Sequence, residues 1–165
     1  MSSARLEIRW RGFSDLTLEE LYDVLRLRAE VFVVEQRCAF ADPDGMDPQA
    51  QHLLANLDGE LVGYARMFAP PQAGEGGARP ALSCARVDGH VSIGRITTAI
   101  DVRGHGVGRA VVEAALAEAS RAYPGVPIQI GAQAQLRKFY ESYGFTLAGS
   151  AFLEDGITHL PMRKP

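Results

Sequence analysis

Residues 97–116 read TTAIDVRGHGVGRAVVEAAL and decide the fold. The β-branched residues at the start predict the end of a strand, and the alanine-rich pattern after Gly108 predicts a helix. Gly104, Gly106 and Gly108 lie between them at alternate positions. Because glycine lets the backbone approach a ligand closely and the first N–H groups of a helix attract anions, this junction predicts a phosphate-binding turn.

The spacing of the glycines excludes two common nucleotide-binding loops. A P-loop ends in Gly-Lys followed by Ser or Thr, whereas here Gly108 is followed by Arg109 and Ala110. The dinucleotide fingerprint is G-x-G-x-x-G, whereas this turn is G-x-G-x-G, and too little chain follows it for a doubly wound dinucleotide fold. The local pattern leaves two interpretations open, a turn that binds another phosphate and a glycine-rich turn with no ligand.

The composition indicates one domain and excludes several classes of partner. The chain has 165 residues, of which 47% are hydrophobic and 22% charged, so we expect a single domain over residues 1–165. The formal net charge is −3 and no Lys/Arg cluster stands out, so nucleic acid is not an expected partner. No apolar stretch approaches the roughly 18 residues of a membrane span and no signal peptide is recognisable, which predicts a cytoplasmic protein without a membrane partner. The four histidines and two cysteines have no metal-ligand spacing, so no metal is expected.

The hydrophobic periodicity predicts an α/β chain with the element order β-α-β-β-β-α-β-α-β-β. Thr17 and Glu20 form a capping-box pattern at the start of a helix that we expect to reach about Val33. The apolar face expected for this helix consists of Leu18, Leu21, Tyr22, Leu25, Ala29 and Phe32.

Two Asp-Gly pairs predict β-hairpins, one turning at Asp58-Gly59 and one at Asp155-Gly156. The second hairpin is expected to join two strands, FTLAGSAF at 145–152 and ITHLPMR at 157–163. Residues 69–90 contain many prolines and glycines and few large apolar residues, which predicts a long mobile insertion.

Two motifs in order resemble the GNAT N-acyltransferase superfamily. Arg103 begins the run Arg103-Gly104-His105-Gly106-Val107-Gly108, which matches the signature (Gln/Arg)-x-x-Gly-x-(Gly/Ala) of that superfamily. The stretch QAQLRKFYESYGF at 133–145 resembles the helix that follows in those proteins, with Gln133 where Asn is frequent. Three more stretches, LYDVLRLRAEVFVVEQRCAFADPDGMD, QHLLA and EDGITHLPM, resemble the ElaA-like branch, so the resemblance covers nearly the whole chain apart from 69–90.

The resemblance implies a fold and an acyl donor. It implies a single α/β GNAT-like domain whose mixed, mostly antiparallel sheet is splayed between strands 4 and 5 and flanked by helices. It also implies an acyl-CoA substrate, with acetyl-CoA as the expected donor. The pantetheine arm would contact strand 4, and the pyrophosphate would contact the glycine turn. The cofactor-binding residues implied in this way are Ile96, Thr97, Thr98, Arg103, Gly104, His105, Gly106, Val107, Gly108, Arg109, Gln133 and Tyr140.

Acyl transfer to an amine needs a proton for the departing thiolate and a base for the attacking amine. The resemblance places Tyr140 at the position of a general acid, although an apolar stripe around it also fits a core tyrosine. Candidate bases are Glu35, His52 and His159, and the residues do not decide among them. A strand-4 backbone N–H near Thr97 or Thr98 is the implied oxyanion donor.

The expected activity is direct N-acyl transfer to a primary amine of a small molecule or a protein, with the acceptor unidentified. One alternative is an acyl-homoserine-lactone-synthase-like acyltransferase, because RLRAEVFVVEQ followed by ADPDGMD faintly resembles the arginine and acidic residues of those enzymes. Another alternative is a non-catalytic acyl-CoA sensor that keeps the donor turn. A homodimer is left open by the sequence.

Overall fold

A computed structural model describes residues 5–71 and 89–165 of the chain. Most of the insertion predicted over 69–90, with Cys84, therefore lies outside the described residues. Within the described ranges, no helix is long and apolar enough to span a bilayer. The helices are α1 (Leu18–Arg28), a π-helical continuation (Ala29–Glu35), α2 (Val107–Ala122) and α3 (Arg137–Glu141).

The described residues form an eight-stranded sheet. Its strands are β1 (Leu6–Gly12), β2 (Gln51–Leu57), β3 (Glu60–Phe68), β4 (Val91–Thr98), β5 (Ile128–Gln133), β6 (Thr146–Leu147), β7 (Phe152–Glu154) and β8 (Ile157–Lys164). The order across the sheet is β1-β2-β3-β4-β5-β8-β6, with β7 paired to β8. This is the mixed α/β, mostly antiparallel architecture that the sequence predicts.

The parallel pair in the sheet is β4 with β5, and its ladder is short. Val91 pairs with Ile128 and Ser92 pairs with Gln129, after which the ladder ends. The splay expected between strands 4 and 5 is therefore confirmed. Further along β4, Arg95 has a left-handed backbone with φ of 52°, which is unusual for a side-chain-bearing residue inside a strand and typical of a bulge.

The described chain divides into two compact units. The first lies within residues 1–67 and 95–118 and the second within 68–94 and 119–165. The core of the first unit joins α1 and its continuation to β2 and β3. It contains Val24, Leu27, Val31, Leu54, Leu61 and Tyr64. The core of the second unit includes Ile130, Phe145 and Met162.

The predicted capping box is confirmed, but the predicted face of the helix is wrong at Leu18 and Tyr22, whereas Phe32 packs against the core as expected. Thr17 and Glu20 exchange hydrogen bonds between side chain and backbone at 3.1 Å in both directions. Leu18 and Tyr22, however, are 83% and 69% exposed. The helix instead buries a face that contains Val24, Leu27 and Arg28. In the sequence this face looks polar because it contains an arginine. The ion pairs of Arg28 with Asp42 and Asp47 allow that arginine to be buried.

Both predicted hairpins form, with one correction to the second. Asp58, Gly59, Asp155 and Gly156 all have positive φ, as a tight two-residue hairpin turn requires. The stretch 145–152 is not one strand, because β6 and β7 are separate. Glycine and serine interrupt it opposite Pro161, where the Ala148 N–H donates to the proline carbonyl at 2.8 Å. Pro161 has no N–H with which to continue a ladder.

Candidate active site

The glycine turn connects β4 to α2 in the first unit. Gly104 and Gly106 have φ of 79° and 87°, and a Cβ added at either would meet nothing within 4 Å. The backbone conformation, rather than lack of space, therefore requires glycine at these two positions. Residues 103–106 are exposed, and Val107, the first residue of α2, is buried. Such a turn presents the first N–H groups of a long helix to solvent, which suits an anionic ligand.

Two of the predicted site residues, Arg103 and Glu35, contact each other. Arg103 donates from Nη1 and Nη2 to the two carboxylate oxygens of Glu35 at 2.7 and 2.8 Å. Its Nη2 also donates to the carbonyl of Thr98 at 3.1 Å. The hydrogen bond to Glu35 raises the pKa of Arg103, against the opposing effect of partial burial. This pair joins the end of the π-helical segment to the glycine turn.

The end of β4 lies against the start of α2. A Cβ added at Gly108 would stand 3.9 Å from Cγ2 of Thr98, at ordinary van der Waals distance. Ile96 and Thr98 are partly buried, whereas Thr97 is 5% exposed. The hydroxyl of Thr97 has no hydrogen-bond partner among the described residues. His105 is exposed on the turn, and Arg109 is exposed in the first turn of α2.

A buried cluster of opposite charges, which the sequence did not predict, lies beside these elements in the first unit. We call it the arginine–aspartate cluster; it consists of Arg28, Arg66, Arg95, Asp42, Asp44 and Asp47. Its three positive and three negative side chains are each no more than 10% exposed. The signal in the sequence was an arginine inside each of three apolar patterns, since a buried arginine needs carboxylate partners.

Each aspartate of the cluster contacts two arginines. Asp42 accepts from Arg28 at 2.7 Å and from Arg95 at 2.8 Å. Asp47 accepts from Arg28 and Arg66, both at 2.8 Å. Asp44 accepts from Arg66 and lies 3.6 Å from Arg95. Burial by itself would raise the pKa of Asp44, but the hydrogen bond and charge of Arg66 outweigh it and lower that pKa to about 2. The cluster therefore holds the loop of residues 42–47 against α1, β3 and β4.

His52, a predicted base, lies next to this cluster and is 1% exposed. Its Nε2 lies 3.0 Å from the carbonyl oxygen of Asp47, which can only accept, so Nε2 carries the proton. Its Nδ1 then accepts from the hydroxyl of Tyr64 at 2.6 Å. Burial lowers the pKa of His52, more than the hydrogen bond to Asp47 raises it. Both ring nitrogens of His52 are hydrogen-bonded, so the ring belongs to the packed interior and neither nitrogen is available to act as a base.

His159, another predicted base, lies in the second unit and is held differently. Its Nδ1 lies 2.9 Å from the carbonyl oxygen of Ile157, which fixes the proton on Nδ1 and leaves a lone pair on Nε2. Nε2 lies 3.9 Å from a carboxylate oxygen of Glu154. The ring stacks on Phe152 with centroids 5.7 Å apart. In this arrangement Nε2 presents a lone pair next to the carboxylate of Glu154.

Gln133 and Tyr140 also belong to the second unit. Gln133 is directly opposite His159 in the β5–β8 ladder and accepts from the side chain of Gln135 at 2.7 Å. Tyr140 is 5% exposed and packs edge-on against Phe139 and Phe145. The structure thus brings Gln133 together with His159 in one unit, and Glu35 with Arg103 in the other. Within the described residues, no group of three or more His, Cys, Asp or Glu side chains could hold a metal ion.

Comparisons with known proteins agree with this fold. A family model described as an acetyltransferase (GNAT) domain matches residues 20–165. The protein ElaA of Escherichia coli is 35% identical over 161 residues, which cover 95% of this chain and 96% of ElaA. The chain therefore belongs to the GNAT family, in its ElaA-like branch.

Two solved structures have the same fold as this chain. An acyl-CoA N-acyltransferase from Pseudomonas aeruginosa superimposes with a TM-score of 0.85 at 38% identity, over 98% of this chain and all of the other. The acyl-homoserine-lactone synthase LasI superimposes with a TM-score of 0.71 at 16% identity, over 98% of this chain and 90% of that one. The second likeness is one of fold alone.

Proposed function

We propose that the protein is an acyl-CoA-dependent N-acyltransferase, with acetyl-CoA as donor, that acylates a primary amine of a small molecule or a protein. The observation that carries the proposal is the exposed turn at the head of α2, in which Gly104 and Gly106 adopt left-handed backbone conformations. Membership of the GNAT family supports an acyl-CoA donor. The backbone N–H groups from Arg103 to Arg109 would hold the pyrophosphate, and the end of β4 would hold the pantetheine arm.

In the proposed reaction the amine nitrogen bonds to the thioester carbonyl carbon, and the carbon–sulfur bond breaks. The leaving thiolate takes a proton from the phenol of Tyr140, and a base takes the proton that the amine loses. Of the two candidate histidines we assign the base to His159, because its Nδ1 lies against the carbonyl of Ile157 and its Nε2 keeps a lone pair. His52 has both nitrogens engaged and Glu35 is paired with Arg103, so neither is assigned this role.

Thiol release from acetyl-CoA across a panel of primary amines tests the proposal. Tyr140→Phe should lower kcat by about 100-fold while leaving CoA affinity nearly unchanged. Tyr143→Phe, which removes a neighbouring phenol on the same segment, serves as the matched control and should leave kcat near the wild-type value. A Tyr140→Phe variant with unchanged kcat would remove Tyr140 from the acid role. CoA binding without thiol release on any amine would favour the acyl-CoA sensor instead.

A second candidate is an acyl-homoserine-lactone-synthase-like activity, which the arginine and acidic residues of RLRAEVFVVEQ and ADPDGMD suggest; LasI shares the fold. Such enzymes pair an arginine with acidic residues around a methionine-derived amine. The cluster here already neutralises each of its aspartates with arginines, which weighs against a free amine site. Mass spectrometry of the products, with acetyl-CoA and with acyl carrier protein thioesters as competing donors, separates the two activities.

A further inference from the structure

The carboxylate of Glu154 on β7 is paired differently from the other largely buried carboxylates of this protein. Its side chain is 12% exposed, and its ion-pair partner among the described residues is His159, which is charged only if protonated. Each aspartate of the arginine–aspartate cluster, by contrast, contacts two arginines. A carboxylate that is largely removed from water is costly without a cation beside it. Glu154 is therefore suited to bind a cation from outside the chain.

The nitrogen closest to this carboxylate presents a lone pair rather than a proton. Nε2 of His159 lies 3.9 Å from a carboxylate oxygen of Glu154, and the proton of the neutral ring is on Nδ1, against the carbonyl of Ile157. A carboxylate oxygen can also only accept hydrogen bonds. Two acceptors thus lie side by side at a distance that is too long for a direct hydrogen bond. One atom with two N–H or O–H donors, about 2.9 Å from each acceptor, would bond to both.

The hairpin of β7 and β8 fixes the positions of these two acceptors. Phe152 is opposite His159 in the β7–β8 ladder, and Glu154 is opposite Ile157. Because side chains alternate along a strand, these four side chains lie on one face of the sheet. Leu153, on the opposite face, is 74% exposed. The ring of His159 stacks on Phe152 with an angle of 22° between the ring planes, which holds the imidazole in one orientation. The pair is therefore arranged before a ligand binds.

A primary ammonium group has both properties that this pair of acceptors requires. Its positive charge compensates the carboxylate of Glu154, and two of its N–H groups can donate, one to the carboxylate and one to Nε2 of His159. Water supplies two donors but no charge to offset the carboxylate. A quaternary ammonium supplies the charge but no donor. The chemistry of the pair therefore favours a protonated amine over either of these.

We propose that Glu154 and Nε2 of His159 together bind the ammonium group of the acceptor. This inference rests on the proposed function, in which His159 is the base, and adds to it the residue that recognises the acceptor. The acceptor arrives as an ammonium ion, and the charge of Glu154 selects it against uncharged molecules of the same shape. The hydrogen bond to Nε2 places the acceptor nitrogen next to the atom that is to take its proton.

Binding of n-butylammonium to the wild-type protein without acetyl-CoA tests the site directly. Nitrogen NMR of the His159 ring at about pH 8, where an ordinary imidazole is neutral, reports the protonation of each ring nitrogen and any donor that binds to Nε2. n-Butyltrimethylammonium is the matched ligand, because it has the same charge and carbon chain but no N–H group. We expect n-butylammonium to shift the Nε2 signal, and n-butyltrimethylammonium to leave it unchanged at the same concentration.

Two variants of the same hairpin separate a specific contact from a general effect of charge. Glu154→Gln removes the carboxylate, and Asp155→Asn removes the neighbouring charge at an exposed position whose positive φ asparagine tolerates. Glu154→Gln should weaken n-butylammonium binding and raise KM for amine acceptors by about 10- to 100-fold, as expected for a hydrogen bond to a charged group. Its affinity for CoA should stay at the wild-type value. Asp155→Asn should resemble the wild type in all three measurements.

Three results would overturn the inference. One is an Nε2 signal that n-butylammonium fails to shift, or shifts no more than n-butyltrimethylammonium does. Another is a doubly protonated His159 ring in the free protein at about pH 8, because the two residues would then form an ion pair of their own. The third is an equal change in binding for Glu154→Gln and Asp155→Asn.

Thiol release from acetyl-CoA by the wild type distinguishes these failures from failure of the proposed function. If the wild type releases thiol on an amine while any of the three results holds, the proposed function stands and the acceptor is recognised elsewhere. If the wild type binds n-butylammonium at His159 but releases no thiol on any amine, the proposed function fails, and with it the role of the pair as an acceptor site.

Discussion

The first unit contains two groups of ion pairs that differ in how far their side chains are exposed to solvent. Arg28 in the arginine–aspartate cluster is completely buried, and its partner carboxylates are nearly so. Arg103 and Glu35 are 39% and 36% exposed and bond to each other in a bidentate pair. The buried group is largely removed from water and stabilises the fold, whereas the exposed pair can open when a competing anion arrives. N–O distances of 2.7 and 2.8 Å occur in both groups, so distance alone does not show what an ion pair does.

The largest effect is expected from removing one cation of the cluster. Arg28→Met keeps an unbranched side chain but leaves the carboxylates of Asp42 and Asp47 with one arginine fewer. Since an uncompensated buried charge is costly, we expect a loss of about 3–5 kcal/mol in the free energy of unfolding. Urea denaturation measures it. Arg26→Met, on the same helix with a side chain that is 50% exposed, should cost less than about 1 kcal/mol. Similar losses in the free energy of unfolding for Arg28→Met and Arg26→Met would contradict the expected difference between buried and exposed ion pairs.

The cluster should also make stability depend on acid. The pKa of Asp44 is about 2 in the fold and 3.8 ordinarily, so its contribution is complete above about pH 4 and is lost as the pH falls toward 2. The loss should be on the order of 2 kcal/mol. His52 adds an earlier decline, because its lowered pKa keeps it neutral in the fold while the unfolded chain takes up a proton below about pH 6.5. Urea unfolding at a series of pH values measures both, and a flat profile from pH 7 to 3 would be inconsistent with them.

The exposed pair should affect ligand binding more than stability. Glu35→Gln removes a negative charge that competes for Arg103, so CoA should bind about two- to fivefold more tightly at low salt. The free energy of unfolding should change by less than about 1 kcal/mol. Calorimetry at two salt concentrations measures the affinity, with Arg103→Gln as the partner variant expected to weaken binding. A large loss of turnover in Glu35→Gln without any change in affinity would instead support Glu35 as the base.

The smallest effect is expected at a half-exposed ion pair within one helix. Arg137 donates to Glu141 across one turn of α3, and the two side chains are 49% and 39% exposed. Glu141→Gln should change the free energy of unfolding by about 0.3–0.5 kcal/mol, as is usual for exposed helical pairs. This variant gives the baseline against which the cluster is measured. A loss above about 1 kcal/mol in the free energy of unfolding would show that the exposure of an ion pair does not determine its contribution to stability in this protein.

Local signals in the sequence predicted those parts of the fold that depend on local chemistry. The capping box at Thr17 and the two Asp-Gly turns formed as predicted, because hydrogen bonds and positive φ values at these positions depend on few neighbours. The strand end and the helix predicted on either side of the glycine turn also form, as β4 and α2. The face of α1 was predicted wrongly in part, because the burial of Arg28 depends on Asp42 and Asp47, which lie in a different segment of the sequence.

The candidate site was predictable in its residue types and not in their partners. His52 and His159 were equal candidates in the sequence. Each ring donates to a backbone carbonyl, and only the Tyr64 hydroxyl on the second nitrogen of His52 distinguishes the engaged ring from the one with an available nitrogen. Glu35 and Arg103 were predicted separately, for two different roles, and they bond to each other across the chain. A sequence pattern specifies which groups are available, whereas protonation and pairing follow from tertiary contacts.

The cluster also has a consequence for the kinetics of folding. Asp42 is separated from Arg95 by 53 positions in the chain, and Asp44 from Arg66 by 22. Contacts over such separations close long loops, which is slow. We therefore expect the cluster to be incomplete in the folding transition state, with its carboxylates still hydrated. Interactions that form after that point act mainly on the rate of unfolding, so the cluster should set the lifetime of the native protein more than the speed at which it is reached.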